Sequence, residues 1–215
     1  MTDTGGGGEW TSVGAPRFLD ILVARANANA PVIVGVNGRS RSGKTTLAQV
    51  LARSGEGIAV IHTDDIAWHH SFFDWSDVLI DGLLQPLRRS GPPQSFIPTP
   101  WTERGRPGSL NIPAGTRVVI VEGVGATRRE LMPWLDATVW VDTDEAVAME
   151  RTVALDRDPP GFVRDWMAAE RTHLSQDQAW TRSTATVSGE RPFGRHRDLW
   201  VRIAEPSSRE HRQLP

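Results

Sequence analysis

Short apolar runs and longer segments of helical period alternate along this chain. Four runs are rich in β-branched residues, as expected for strands buried on both faces of a parallel sheet. These runs are residues 31–36, 58–62, 118–121 and 138–141. Weaker strand patterns follow at 185–188 and 200–203. The pattern therefore predicts a sheet whose strands come mainly from the middle of the chain.

Between these runs, apolar residues recur at the three- and four-residue spacing of amphipathic helices. The predicted helices are 16–28, 44–53, 75–89, 127–135, 145–156 and 163–180. In the first of them, Phe18, Leu19, Leu22 and Val23 share one face. Strands that alternate with helices form parallel sheets covered on both faces, so the predicted fold class is α/β with three α/β/α layers.

Three stretches fall outside this alternation. Residues 4–8 are rich in glycine, and residues 206–215 are polar without a period. We therefore expect a disordered N-terminal tail at 1–14, one domain at 15–205 and a C-terminal tail at 206–215. Residues 91–113 are dense in proline and glycine, which predicts an irregular excursion, and its length indicates a functional loop.

Composition narrows the functional classes. The 215 residues are 39% apolar and 23% charged, which is typical of a globular domain with its own core. The formal net charge of −2 argues against a general nucleic-acid binder, which needs a basic face. The sequence has no cysteine, no run long enough to span a membrane and no signal-peptide pattern, so we expect a cytoplasmic protein without membrane contacts. A homo-oligomer stays open, because no pattern here reports assembly.

A glycine-rich turn connects the first predicted strand to the next helix. It reads Gly38-Arg39-Ser40-Arg41-Ser42-Gly43-Lys44-Thr45, a Walker A motif, and Thr46 follows it. In such a loop the backbone N–H groups converge on phosphate oxygens, the lysine bridges the terminal phosphates and the Thr45 hydroxyl binds Mg²⁺. Lys44 is the single lysine among 24 basic residues, and arginine does not replace lysine at a tight phosphate site. The sequence therefore predicts that ATP or GTP binds here.

Three carboxylates follow the ends of predicted strands near this loop. Glu122 ends the strand at 118–121, where it either holds the water shell of a metal ion or lies at the surface. Asp64 and Asp65 follow the strand at 58–62. One of them can act as the general base that a kinase needs, and the other can ligate Mg²⁺ or cap the next helix. Which of the two is the base stays open at this point.

These motifs resemble those of the uridine kinase-like P-loop kinases, within the nucleoside and nucleoside-monophosphate kinase group. The matching segments are 38–45, 63–65 and 121–123, followed by an arginine-bearing segment after the fourth strand, and together they extend over residues 31–190. The resemblance implies a five-stranded parallel sheet in the order 2-3-1-4-5, a helical lid, and Mg-ATP as the phosphoryl donor.

The resemblance also implies roles for individual residues. Asp64 matches the aspartate that activates the acceptor hydroxyl, and Glu122 matches the acid near the metal. Arg157 and Arg164 fall in the lid segment, where arginines stabilise the transferred phosphoryl group, with a solvated helix face as the alternative. Arg157 is the first choice, because Arg157-Asp158 resembles the Arg-Asp pair of the lid.

The acceptor site is predicted after Asp65 and in the later excursion. Trp68, Trp75 and Trp101 are candidate substrate contacts, although the chain has no tyrosine that could contact a base. Arg128, or its neighbour Arg129, faces either the acceptor or the solvent.

One face of the last predicted helix carries three residues of interest. Trp166, Glu170 and His173 are spaced to lie together on it. That face either closes on the substrate or packs in the core, and core packing is the default for Trp166.

Together these patterns predict a kinase that moves the γ-phosphoryl group of ATP to a hydroxyl group. A nucleoside is the acceptor that the resemblance implies, and sugars, antibiotics and nucleoside monophosphates stay open. The alternatives are a nucleotide-dependent regulatory ATPase or switch without a small acceptor, and a protein that binds ATP without turnover. No Asn-Lys-x-Asp motif for reading guanine is present.

Overall fold

The computed structural model describes residues 9–24, 26, 31–155, 159–191 and 198–204. Its strands are β1 (Thr11–Gly14), β2 (Val32–Gly38), β3 (Ile58–His62), β4 (Gln94–Phe96), β5 (Leu110–Ile112), β6 (Val118–Glu122), β7 (Ala137–Asp142), β8 (Ala185–Ser188) and β9 (Asp198–Ile203). Its α-helices are α1 (Ala15–Ala24), α2 (Lys44–Ala52), α3 (Thr63–Ala67), α4 (Ser76–Leu79), α5 (Gln85–Ser90), α6 (Thr99–Glu103), α7 (Glu145–Leu155) and α8 (Pro160–Asp177). No described helix has both the length and the apolar character that crossing a bilayer requires.

The main sheet has the order β1-β9-β8-β7-β2-β6-β3. The five strands from β8 to β3 pair in parallel, with β2 between β7 and β6. Numbered along the chain, these five strands follow the order 2-3-1-4-5 when read from the β3 edge. The predicted α/β class and parallel sheet are confirmed, and the carboxyl ends of the parallel strands meet at one edge of the sheet.

The sheet is larger than predicted, because two antiparallel strands extend it beyond β8. β9 pairs with β8, and β1 pairs with β9. The parallel part of the sheet has the five predicted strands, and the described residues add two antiparallel ones. Residues 11–14, which belong to the predicted N-terminal tail, form β1. These residues are partly exposed and lack an apolar pattern, and pairing with a distant strand orders them. Residues 206–215 lie outside the described residues.

Both faces of the central strands are buried. Val34 and Val36 of β2 pack on one side of the sheet with Leu47 and Leu51 of α2. Ile33, which points the other way, belongs to a second cluster with buried residues of α4 and α5. Because side chains alternate between the two faces, a strand covered on both sides must be apolar throughout. This explains the continuous apolar run of β2.

Two predicted helices differ from the structure. Residues 127–135 form successive turns and a 3₁₀ turn at Met132–Trp134 rather than a helix. Pro133 has no N–H to donate to the carbonyl four residues earlier, which favours the shorter turns. In the helix predicted at 75–89, a π-helical turn at Ile80–Leu84 joins α4 to α5. Pro86 lies just beyond this turn and likewise lacks an N–H, so the hydrogen-bond register changes there.

The remaining helix ends are close to the predicted ones. α1 ends at Ala24, earlier than the predicted residue 28, and residues 25 and 27–30 lie outside the described residues. α8 ends at Asp177, and a 3₁₀ turn at Ala179–Arg182 follows it.

The excursion at 91–113 is more regular than predicted. β4 and β5 pair as an antiparallel ribbon, and α6 lies between them. Leu110, Ile112 and Trp101 are buried in the same apolar cluster as α4 and α5. Burial of these few apolar residues orders a segment whose proline and glycine content alone indicates a loop.

Candidate active site

The Walker A loop lies between the end of β2 and the start of α2. Gly43, the residue before Lys44, has φ 102°, a conformation that residues with a side chain rarely adopt. This turn lets the chain enter α2 immediately, so the N–H groups of the first helical turn point towards the loop. The loop and the helix together form a cradle for phosphate oxygens.

Lys44 is 7% exposed, and its Nζ atom donates a hydrogen bond of 2.6 Å to the carbonyl oxygen of Arg39. Burial lowers the pKa of this amine, while the nearby carboxylates of Glu122, Glu170 and Asp64 act in the opposite direction. The single lysine of the chain is therefore held in a nearly dry position beside acidic groups. A cation in such a place interacts strongly with incoming anions.

Glu122 ends β6 and is 4% exposed. Its Oε1 atom accepts hydrogen bonds from the Thr45 hydroxyl at 3.0 Å and from Nδ1 of His62 at 2.5 Å. The hydrogen bond with Glu122 is the main reason that the pKa of His62 is raised. The second oxygen, Oε2, is buried and has no hydrogen-bond partner among the described residues. A buried carboxylate oxygen without a partner, next to a threonine hydroxyl, fits a hard cation such as Mg²⁺.

Close approach of two loops brings these groups together. A Cβ atom on Gly123 would lie 1.7 Å from the Thr63 hydroxyl, so only glycine allows the segment after β6 to pack against the start of α3. The parallel register of β3 and β6 sets Glu122 beside His62 at the neighbouring strand end. His62 was not identified from the sequence, because a histidine at a strand end carries no motif of its own.

The structure separates the two adjacent aspartates. Asp64 lines the cleft, and partial loss of hydration there raises its pKa, although Lys44 opposes this shift. Asp65 instead pairs with Arg106, and its backbone carbonyl accepts a hydrogen bond from the Trp101 indole at 2.9 Å. Asp65, a predicted metal ligand, is not among the residues that line the cleft. Its ion pair fixes the α6 segment against α3.

The cleft has a volume of about 1380 Å³, more than one small ligand occupies. One part of its wall is formed by the Walker A loop, by Arg151 of α7 and by residues 189–191 after β8. Another part, the aromatic wall, comes from two distant segments and consists of Trp68, Phe72, Phe162 and Trp166. Asp64 lines the same cleft.

Of the three predicted tryptophan contacts, only Trp68 lines this cleft. Trp75 and Trp101 are 1% and 4% exposed and belong to the apolar core. Each has a backbone carbonyl as partner for its indole N–H, which is how buried tryptophans are usually satisfied. The structure therefore places Trp75 and Trp101 in the core and not along the cleft.

Arg128 is also buried rather than placed at the cleft. Its guanidinium donates to the carbonyl of Phe73 and, at 3.0 Å, to the Ser76 hydroxyl. Burial lowers the pKa of Arg128. These hydrogen bonds hold the segment that leads into α4. Arg128 is not among the residues that line the cleft.

Of the two arginines predicted for the lid, only Arg164 lies among the described residues. Arg157 lies outside the described residues. Arg164 is on α8, is largely exposed, pairs with Asp165 at 3.4 Å and does not line the cleft. Arg151, which the sequence did not single out, donates to the carbonyls of Arg41 at 3.1 Å and Gly189 at 2.9 Å. It joins the Walker A loop to the segment after β8 and supports Arg41, which has φ 59°.

Trp166, Glu170 and His173 lie on one face of α8, as predicted. Trp166 stacks on Phe73 with centroids 5.5 Å apart, and His173 stacks on the same ring at 4.3 Å. Glu170 reaches the Walker A loop, where its Oε1 atom accepts a hydrogen bond of 2.5 Å from the Ser40 amide. α8 therefore contacts both the phosphate loop and the aromatic segment at 68–73.

No protein-family model matches the chain. Its curated relatives include the uridine kinase of Streptococcus gordonii, which is 26% identical over 151 residues, 62% of this chain and 71% of that protein. The uridine kinase of Streptococcus pneumoniae is also 26% identical, over 62% of this chain and 70% of that protein. A solved structure described as a "Possible Uridine Kinase" from Bacillus stearothermophilus has a TM-score of 0.57 and 21% identity, over 80% of this chain and 96% of that one.

The predicted resemblance to uridine kinase-like P-loop kinases is thus confirmed. The solved structure shares the fold, and the sequence relatives are kinases. These comparisons indicate that the chain is a small-molecule kinase, and therefore a phosphotransferase.

Proposed function

We propose that this chain is a Mg²⁺-dependent kinase that transfers the γ-phosphoryl group of ATP to a hydroxyl group of a nucleoside-like acceptor. The observation that carries the proposal is one cleft lined by Lys44, Thr45 and Glu122, by Asp64 close to Lys44, and by an aromatic wall. A kinase needs a phosphate site and an acceptor site in one continuous space, because the donor phosphate and the acceptor hydroxyl must meet in line.

The donor site is assigned to residues 38–46. Backbone N–H groups of the loop and of the start of α2 surround the phosphates, and Lys44 neutralises the terminal ones. Mg²⁺ would be held by the Thr45 hydroxyl and, directly or through water, by Glu122, and when bound it neutralises charge on the β- and γ-phosphates. The partnerless Oε2 atom of Glu122 supports this assignment.

Asp64 is the proposed general base. The acceptor oxygen forms a bond to the γ-phosphorus, the bond from that phosphorus to the β–γ bridging oxygen breaks, and ADP leaves. The hydroxyl proton passes to the Asp64 carboxylate, whose raised pKa makes it a better proton acceptor as long as it is ionised. Arg157 stays the proposed lid arginine from the resemblance.

The lining of the cleft favours an uncharged, planar acceptor over a phosphorylated one. Among the described residues, the arginine and lysine side chains of the cleft belong to the Walker A loop, to α7 and to the segment after β8. The aromatic wall offers the indole and phenyl rings of Trp68, Phe72, Phe162 and Trp166, and the imidazoles of His69 and His70 also line the cleft. Aromatic faces stack on a flat base and offer no counter-charge for a second phosphate.

The test is ADP formation from Mg-ATP, first without an acceptor and then with nucleosides, nucleoside monophosphates, sugars and hydroxylated antibiotics. Lys44→Ala serves as the blank. We expect stimulation by a nucleoside or a similar planar alcohol that is absent from the variant and from Mg²⁺-free samples.

Two results would contradict the proposal. ATP hydrolysis that is independent of every acceptor would favour the regulatory ATPase. Stimulation by a nucleoside monophosphate alone would mean that the acceptor is a nucleotide and not a nucleoside. Repeating the panel with GTP in place of ATP shows which nucleotide is the phosphoryl donor.

A further inference from the structure

A single peptide group of the Walker A loop is held from both sides by charged side chains. The carbonyl of Arg39 and the amide N–H of Ser40 belong to the same peptide unit, and in a trans peptide they point in opposite directions. Lys44 donates to the carbonyl at 2.6 Å, and Glu170 accepts from the N–H at 2.5 Å. The plane of this peptide is thus fixed between a cation and an anion.

Both charged groups are shielded from water. Glu170 is 8% exposed and Lys44 is 7% exposed. Burial raises the pKa of the Glu170 carboxyl, and the Ser40 hydrogen bond and Lys44 partly offset this. The peptide dipole lies between the two charges with its N–H towards the carboxylate and its oxygen towards the amine, which is the favourable direction for both.

Glu170 is not among the residues that line the large cleft. It lines a small neighbouring cavity between the Walker A loop, α7 and α8, together with Arg39, Ser40 and Met167. The carboxylate is therefore placed to act on the loop through its backbone and not on a ligand in the cleft.

A second carboxylate beside the loop makes a useful contrast. Glu145 of α7 pairs with the Arg39 guanidinium at 3.6 Å and with Arg171 at 3.0 Å, and its side chain is about half exposed. It touches side chains only, whereas Glu170 touches the backbone. The two glutamates lie near the same loop, but Glu145 pairs with arginine side chains and Glu170 accepts a hydrogen bond from the loop backbone.

We infer that Glu170 is a positioning residue for Lys44, acting through the Arg39–Ser40 peptide. The carboxylate holds the peptide so that its oxygen faces the lysine, and the lysine is kept over the phosphate cradle before nucleotide arrives. Because Glu170 belongs to the same helix face as Trp166, α8 sets the phosphate loop and the aromatic end of the cleft from one rigid element. The inference rests on the proposed function only in its assumption that Lys44 binds phosphate.

The single lysine of the chain allows a direct measurement. Acetic anhydride at low concentration labels Lys44 at a rate that depends on how accessible its amine is and on the fraction of that amine that is unprotonated, and the carboxylate and the peptide carbonyl that hold the amine affect both; peptide mass spectrometry separates this label from the N-terminal amine. The variants are Glu170→Ala, Glu170→Gln and, as the matched control, Glu145→Gln. Affinity for ATP and for adenosine is measured in parallel by calorimetry, with thermal melting as the check on folding.

We expect Glu170→Ala to label Lys44 several-fold faster and to bind ATP about tenfold more weakly, with no change in affinity for adenosine. Glu170→Gln retains an oxygen for the Ser40 amide without its charge, so its effect should be smaller. Glu145→Gln should resemble the unmodified chain. If Glu170→Ala does not fold, the isosteric Glu170→Gln decides, because any increase in its labelling over Glu145→Gln supports the inference.

Equal labelling in the unmodified chain and the Glu170 variants would overturn the inference, and so would equal effects of Glu170→Gln and Glu145→Gln. A parallel loss of ATP and adenosine affinity would also overturn it, since it would indicate a general structural role. Failure of ATP to protect Lys44 from label in the unmodified chain would instead contradict the proposed function, so the two failures are distinguishable.

Discussion

The part of the cleft proposed to bind the phosphoryl donor, here called the donor end, is centred on one contiguous segment, residues 38–46, and offers mainly backbone groups together with the Lys44 amine; Glu122, Arg151 and residues 189–191 complete it. The acceptor end is assembled from side chains far apart in the sequence, such as Trp68 before α4 and Trp166 on α8. Phosphate is the same anion in every nucleotide, so a fixed backbone cradle recognises it. An acceptor differs from one enzyme to the next, and its recognition depends on which side chains the fold brings together.

The difference teaches where a substitution should change chemistry and where it should change selectivity. Residues of the donor end should affect turnover with every acceptor. Residues of the aromatic end should affect the concentration of acceptor needed, with little effect on nucleotide binding. Substitution of residues that are near the cleft but do not line it should change only the stability of the fold or have no measurable effect.

The largest expected effect is at Lys44. Lys44→Arg keeps the charge in a chain that otherwise uses arginine for every basic position, yet the planar guanidinium does not fit where the slim amine is buried. We expect the rate of phosphoryl transfer to fall by about 10³-fold. ADP formation measures it, and a rate near that of the unmodified chain would contradict the assignment of the donor end.

The next effect separates the adjacent aspartates. Asp64→Asn removes the proposed base and should lower kcat by about 10²–10³-fold. Asp65→Asn breaks the ion pair with Arg106 and should mainly lower the melting temperature. Steady-state kinetics and thermal melting of both variants measure this, and the opposite assignment of effects would make Asp65 the base.

The two lid arginines provide a third test. Arg157→Ala should lower kcat by about 10²-fold if the resemblance assigns it correctly. Arg164→Ala, at an exposed position outside the cleft, should change kcat by less than about twofold. Side-by-side turnover assays decide, and a large loss in Arg164→Ala would mean that α8 moves when substrates bind.

A fourth test compares two tryptophans. Trp68→Ala should raise the KM of the acceptor by about tenfold and leave ATP affinity unchanged, because it removes one aromatic wall. Trp101→Ala should lower the free energy of unfolding by about 3–5 kcal/mol, because that ring is buried in the core. Steady-state kinetics and denaturant unfolding distinguish these outcomes. Equal effects of the two substitutions on the KM of the acceptor would contradict the assignment of Trp68 to the acceptor site and of Trp101 to the core.

The smallest expected effect concerns pH. Desolvation raises the pKa of Asp64, so its carboxylate takes up a proton at a higher pH than an ordinary aspartate does. A protonated base cannot accept the hydroxyl proton, and kcat should therefore fall as pH decreases through that raised pKa. The pH dependence of kcat measures this limb, which should be absent from Asp64→Asn.

Glu170 and Asp64 should also affect stability with pH. A carboxyl with a raised pKa in the folded chain binds its proton more tightly there than in the unfolded chain. Its contribution therefore disfavours the folded state at pH values above the raised pKa. This penalty decreases as pH falls from the raised pKa to the pKa of the unfolded chain, so the melting temperature should rise over that window, which thermal melting against pH measures.

The predictions from sequence were best where a residue's role depends on its neighbours in the chain. The buried strands, the α/β class and the Walker A loop follow from local patterns, and the structure agrees with each of them. Trp75, Trp101 and Arg128 were assigned to the substrate because they lie near the right segments, but all three are buried elsewhere. Distance along the chain does not tell whether a side chain faces the cleft or the core beside it.

What the sequence determined by itself is the parallel sheet and the place of the phosphate loop, because strand and helix periodicity and the glycine spacing are local properties. The tertiary structure decided the contacts between distant segments: His62 with Glu122, Arg151 with Gly189, and Glu170 with the Ser40 amide. It also decided which of Asp64 and Asp65 faces the cleft. Such contacts join segments that are far apart in the chain, and the pairing of strands, as for His62 with Glu122, and the packing of loops, as for Gly123 with Thr63, bring these segments together.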